Sequence, residues 1–184
     1  MNIIITILLV VAGIIALLLI VALFMKKEHY VNREIIINAP LQKVFDFLKL
    51  LKNQEQFNKW AAADKKNLPA GKTGRKEEFK GTDGTVGFIY SWSGDKSAGQ
   101  GEKEIKNIIE GKRIETEIRF VKPMRVSASV IFETESLSEN QTKLNMINTG
   151  TLKYPLNIMI LMAEKNFPKD MEESLATLKN ILEK

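Results

Sequence analysis

From Arg75 to Leu152, apolar and polar residues alternate with a period of two, and short turn-forming clusters cut the run into pieces. A strand sends successive side chains to opposite faces, so this pattern demands a sheet with one covered face and one wet face. The predicted strands are 76–80, 85–93, 99–110, 112–122, 125–136 and 142–152. Between them stand Thr82-Asp83-Gly84, Ser93-Gly94-Asp95, Glu110-Gly111-Lys112, Lys122-Pro123-Met124 and Ser138-Glu139-Asn140. Gly, Asp, Asn, Ser and Pro favour tight turns, and strands joined so closely pair antiparallel. The chain is committed to an antiparallel meander whose apolar face must be buried against other elements.

Those elements flank the meander. His29 to Asn38 is β-branched and reads as a further strand. Pro40 suits the first turn of a helix, where its missing N–H costs nothing. Leu41, Val44, Phe45, Leu48 and Leu51 follow at helical spacing, and a second short helix is predicted over 54–63, with Phe57 and Trp60 three apart. Residues 64–74 read as a loop. Its Gly71-Lys72-Thr73 echoes the end of a phosphate-binding loop, but Lys66 stands where that motif requires glycine. Near the C-terminus a Met-rich helical segment is interrupted by Pro168, and Met171, Leu175, Leu178 and Leu182 then mark one apolar helical face. The fold class is α+β: strand, two helices, antiparallel sheet, final helix.

Asn2 to Met25 carries no charged residue. About 20 helical residues span the roughly 30 Å hydrocarbon core of a bilayer, so this run is long enough to cross. A cleaved signal peptide would start with basic residues and end at a small-residue site; here neither is present. Residues 1–27 are read as a single-pass membrane anchor and 28–184 as one folded domain. Lys26-Lys27 behind the run place that domain in the cytoplasm by the positive-inside rule.

Strand parity assigns the inner face. Val86, Phe88, Tyr90 and Trp92 share one side of the glycine-rich stretch, as do Ile114, Thr116, Ile118 and Phe120 in the strand that follows Gly111. Val126, Ala128, Val130, Phe132, Leu144, Met146 and Asn148 continue this face, while Arg113, Glu115, Glu117 and Arg119 lie on the wet one. The glycines read as hairpin corners, bends and close approaches rather than as a phosphate cradle, because this stretch leads from strand to strand and not into a helix N-terminus. The inward set, Trp60, Phe79, Phe88, Tyr90, Trp92, Thr116, Ile118, Phe120, Val130, Phe132, Met146, Asn148, Met159 and Met162, fits either a filled core or the lining of an apolar cavity with a few polar groups.

VNREIIINAPLQKVFDFL, Trp60, GTVGFIYSWSG, EGKRIETEIRF and the YPLN…KDMEESLATLK ending resemble the SRPBCC superfamily, the START-like or helix-grip group of polyketide cyclase/dehydrase and lipid-transport proteins. More narrowly, they are similar to bacterial members with an N-terminal membrane anchor. The resemblance covers Tyr30 to Lys184. It implies a curved sheet gripping a long C-terminal helix, with a hydrophobic cavity between them lined by the inward set and open to lipids or other apolar molecules. The fold hosts many functions, so no single activity is implied.

The composition excludes other chemistries. There is no cysteine, so thiol nucleophiles and thiolate metal sites are absent, and no metal or cofactor site is read. His29, the one histidine, abuts the apolar run and is read as an interfacial polar residue. Lys and Arg number 27 against 22 Asp and Glu, a scattered excess with no basic stripe of the kind nucleic acid needs. Asn140-Gln141-Thr142 matches a glycosylation acceptor but reads as a hairpin turn. Three function classes remain: a membrane-tethered binding or transfer module for an apolar small molecule or lipid, a cyclase- or aromatase-like enzyme on such a ligand, and a protein-interaction scaffold. The second would need a buried, pKa-perturbed polar residue, the third an exposed apolar patch.

Overall fold

The computed structural model describes residues 2–61, 76–94 and 99–184. The first helix, α1, runs Ile3–Phe24, and β1, Glu28–Ile37, follows at once. Helices α2, Leu41–Lys49, and α3, Leu51–Phe57, come next, and residues 59–61 begin another helical turn. Six strands then follow in succession: β2 Lys76–Lys80, β3 Ile89–Ser93, β4 Gln100–Ile109, β5 Arg113–Lys122, β6 Val126–Ser138 and β7 Gln141–Thr151. A 3-10 turn, Leu156–Met159, leads into α4, Ile160–Leu182. The sheet order is β1-β7-β6-β5-β4-β3-β2, with every neighbouring pair antiparallel. The meander is as the turns predict, and the first strand closes it by pairing with the last. The loop 64–74, the end of the helix predicted to residue 63, and Asp95 of one predicted turn lie outside the described residues.

One main core holds the layers together. Met171, Leu175, Leu178 and Leu182 of α4 pack with Val31 and Ile37 of β1, Ile114 of β5, Val130 and Phe132 of β6, and Leu144 and Met146 of β7. Val44, Phe45 and Leu48 of α2 join the same cluster. A smaller cluster, Leu51, Phe88, Tyr90, Trp92 and Ile105, seals the far end under β3 and β4.

Local chemistry explains where the elements break. The helix predicted through Leu51 divides at Leu50. Two amides beyond the break satisfy carbonyls of the α2 end: Asn53 Nδ2 donates to Phe47 O (3.1 Å) and Gln54 Nε2 to Leu48 O (2.7 Å). The new N-terminus of α3 is capped from the β2–β3 turn, where Asp83 accepts from the Leu51 and Lys52 N–H groups at 2.8 and 3.2 Å. The strand predicted from residue 85 starts only at Ile89. Gly87 adopts a positive φ of 86°, which turns the chain between Val86 and Phe88, so Val86 is exposed rather than inward. Pro168 does not interrupt α4, which runs through it. Burial of Ile160 on one side and Met171 on the other, with Phe167 packed on His29 and Trp60, holds that segment helical.

Bulges bend the sheet. The β4–β5 register shifts between Gln100 and Gly101 and again between Ile105 and Asn107. The second shift resets the parity, so Ile105 and Ile108 both pack inward. At the first, Gly101 makes a close approach possible: a Cβ there would lie 2.6 Å from Trp92 Cζ2 and 2.8 Å from the Arg119 carbonyl oxygen. The carbonyl belongs to the ladder and cannot swing away. Gly101→Ala is therefore expected to lower unfolding stability by about 1–3 kcal/mol, and Trp92→Ala, in the same contact, by about 3–5 kcal/mol. Thermal melts of both variants check this; an unchanged melt for Gly101→Ala would contradict the packing.

Candidate ligand site between the sheet and the C-terminal helix

The inward residues divide into two groups. Phe79, Phe88, Tyr90, Trp92 and Phe120 form a ladder of rings: Phe79 stacks on Phe88 and Tyr90 at 6.2 and 5.4 Å, Tyr90 on Trp92 at 5.9 Å, and Phe120 meets Trp92 edge-on at 5.7 Å. Phe88, Tyr90 and Trp92 are buried, whereas Phe79 is 45% and Phe120 39% exposed, so these last two are only partly covered. Lys52 Nζ sits 4.6 Å from the Phe79 ring centre and partly covers it.

The second group encloses a space between sheet and helix. Trp60, Ile118, Val130, Phe132 and Met146 line it together with Gln54, Phe57, Asn58, Lys103 and Ser174. Its volume is about 10 Å³, room for one water-sized sphere, so the side chains fill it rather than leave it open. Thr116 and Asn148 do not line this space. Thr116 is fully buried, its hydroxyl donating to Val130 O at 3.0 Å, and Asn148 accepts from His29 Nε2 at 2.8 Å. Met159 is half-buried on the 3-10 turn, and Met162, placed inward by the sequence pattern, is 64% exposed. Among the described residues, larger concavities lie elsewhere on the sheet. One, of about 410 Å³, is lined by Ser91, Ser93, Gln100 and Glu102.

Sequence reasoning missed the polar residues of the space. Lys103 is the most consequential. It alternates with Gly101 and Ile105, both buried, and that parity places it inward despite its charge. It is 5% exposed, with Nζ 2.5 Å from Gln54 Oε1. Burial pushes its ammonium down to about 8, and the nearby Glu55 carboxylate opposes the shift. His29 is likewise not interfacial. It is 5% exposed on the inner face of β1, with its ring edge-on to Phe167. Gly150 makes room for that ring, since a Cβ there would stand 2.8 Å from His29 Cε1.

The opposite face of the sheet is electrostatic, as its alternation predicts. Arg119 bonds Glu102 and Glu104 at 2.7 Å each, and also Glu117. That guanidinium holds Glu104 below the usual carboxylate range. Among the described residues, no cluster of His, Asp or Glu is arranged to hold a metal ion.

Solved structures share this architecture. Protein CV1439 from Chromobacterium violaceum matches at 14% identity and a TM-score of 0.55, over 84% of this chain and 97% of that one. Ara h 8.0201 matches at 14% and 0.54, over 84% and 97%. Norcoclaurine synthase from Thalictrum flavum, solved with dopamine and hydroxybenzaldehyde, matches at 9% and 0.58, over 84% and 86%. The chain has the helix-grip fold. No family model and no curated protein matches the sequence. At these identities the likeness fixes the helix-grip architecture and leaves the chemistry to the residues described above.

The buried lysine has a measurable consequence. Its folded-state value lies below its unfolded one, so between about pH 8 and the ordinary lysine value the unfolded chain binds more protons and stability rises with pH. Lys103→Met is expected to be the more stable protein at pH 7, by an upper bound of about 3 kcal/mol. The wild type should close that gap as pH approaches 10.5. Paired denaturation curves across pH 7 to 10.5 check it; a constant difference would mean that Lys103 is not desolvated.

Proposed function

We propose that this helix-grip protein is tethered to a membrane by α1 and binds an apolar small molecule or lipid between the sheet and α4. The observation that carries the reading is the composition of the inner space: Phe57, Trp60, Ile118, Val130, Phe132 and Met146 as apolar walls, with Gln54, Asn58, Lys103 and Ser174 as a small polar set. Apolar walls with a few placed polar groups are the usual makeup of a small-molecule site. Met146 and Trp60 can repack to admit a guest, since methionine is unbranched and soft and Trp60 is only half-buried. The helix-grip neighbour norcoclaurine synthase was solved with small aromatic molecules, which supports the class of guest.

Tethering rests on α1, 22 residues long and uncharged throughout, with its apolar side chains exposed except at Ala22. The domain side is assigned to the cytoplasm from Lys26-Lys27. Native mass spectrometry of the full chain released from membranes should find a bound apolar molecule. Recovery of mass-pure protein, together with no binding across a panel of fatty acids, sterols and small aromatics, would overturn the reading. Protease added outside spheroplasts should leave the domain intact; digestion would reverse the orientation.

A second reading, an enzyme acting on the same class of ligand, draws on Lys103. A buried amine lowered to about 8 is suited to proton transfer near neutral pH. The two readings separate on incubation: a binding module returns its ligand unchanged, and an enzyme does not.

A further inference from the structure

Lys103 is buried more deeply than its partners justify. An ammonium carries three N–H donors. Among the described residues Lys103 Nζ has one acceptor, Gln54 Oε1 at 2.5 Å, and no carboxylate within ion-pair distance. The nearest acidic influence is Glu55, whose carboxylate is engaged with the Tyr90 hydroxyl at 3.3 Å. Gln54 is fixed in one orientation, because its Nε2 donates to Leu48 O at 2.7 Å and so directs Oε1 at the lysine. The other polar groups of the space are largely spent on backbone. Ser174 Oγ accepts from Lys59 N and donates to Asp170 O, and Asn58 Oδ1 accepts from Trp60 N and Ala61 N. Two donors of one buried cation remain unspent beside a wall of Phe57, Ile118 and Phe132.

A buried charge without a counter-ion is costly to the fold, and an apolar residue of similar size would remove the cost. Such a group gains its partner when a ligand brings an anion. We propose that the guest of this space is an apolar carboxylic acid, and that Lys103, held in place by Gln54, is the residue that receives its carboxylate. This rests on the ligand-binding reading above and deepens it. The carboxylate would take the two free N–H donors while the hydrocarbon lies against Trp60, Phe132 and Met146. Since the space now holds a single water-sized sphere, binding would part Trp60 from the sheet.

Trp60 and Trp92 are the only tryptophans, and neither is in α1, which makes a quenching experiment direct. The full chain in neutral-lipid nanodiscs, carrying Trp92→Phe so that Trp60 alone reports, is titrated with 9,10-dibromostearic acid and with its methyl ester. The acid should quench Trp60 at a concentration at least about tenfold lower than the ester, the gain typical of one charge-assisted hydrogen bond. Lys103→Met should abolish that preference by weakening the acid and leaving the ester unchanged. Lys103→Gln, polar but uncharged, serves if the Met variant does not fold. Equal quenching by acid and ester, or an acid preference that survives loss of the lysine charge, overturns the carboxylate role and leaves apolar binding standing. Absence of saturable quenching by either probe overturns both.

Discussion

Met171, Leu175, Leu178 and Leu182 recur at the spacing of one helical face, and all four are buried against the sheet. Each such side chain contributes about 1.5–3 kcal/mol when removed from water. The sheet has the reciprocal need, since Ile114, Val130, Phe132, Leu144 and Met146 would otherwise face solvent. Pairing the first strand with the last brings Val31 and Ile37 into the same core and lets one continuous sheet hold the helix. The end of β1 and the end of α4 are locked together by this arrangement. Lys43 Nζ donates to Leu182 O, Lys179 Nζ to Ile36 O, and Asn38 N to Glu183 Oε1, so the last turn of α4 is finished by residues beside β1.

Tight packing at one end of α4 sets the terms at the other. Beyond Met171 the helix leaves the crowded core and meets His29 and Trp60 through Phe167. Beside Ser174 the interior is mixed, with Lys103, Gln54 and Asn58 facing the same space. Stability alone would favour hydrophobic side chains at these positions. The departure is concentrated in one space whose apolar walls, Phe57, Val130, Phe132 and Met146, also belong to the main core.

The layout was legible because period two and period 3.6 are geometric and survive in a single sequence. The meander order of β2 to β7, the inward placement of Phe88, Tyr90, Trp92, Ile114, Val130 and Phe132, and the stripe of α4 all follow from spacing, whereas the pairing of β1 with β7 does not. Three kinds of information were not carried by spacing. The first is local backbone turning: a positive φ at Gly87 removed Val86 from the face its parity gave it. The second is the edge of the cover, because Phe79 and Phe120 lie on the expected face but are left partly exposed. The third is polar residues on the inner face. His29, read as interfacial, alternates with Val31 and is buried, and Lys103, given no role by the sequence pattern, shares the buried parity of Gly101 and Ile105. Pro168 shows a different error, a strong local signal overridden by burial on both sides of it.

The junction between α1 and the domain is built rather than loose. Asn157, fully buried, donates through Nδ2 to Ala22 O at 2.7 Å and Met25 O at 3.2 Å, two of the carbonyls an α-helix leaves unsatisfied at its end. Leu152 N donates to Lys27 O at 2.7 Å, and Lys26 pairs with Glu164 of α4 at 2.5 Å. The segment that caps α1 is thus the one that leads into α4, which contributes Ser174 to the candidate site. In a tethered arrangement this coupling would fix the domain at one attitude to the bilayer, with Tyr154, Leu161 and Met162, all exposed, on the segment nearest the membrane surface. A flexible linker would let the domain sample solvent freely. A capped junction instead holds the end of α1 and the first turns of α4 in one fixed relation.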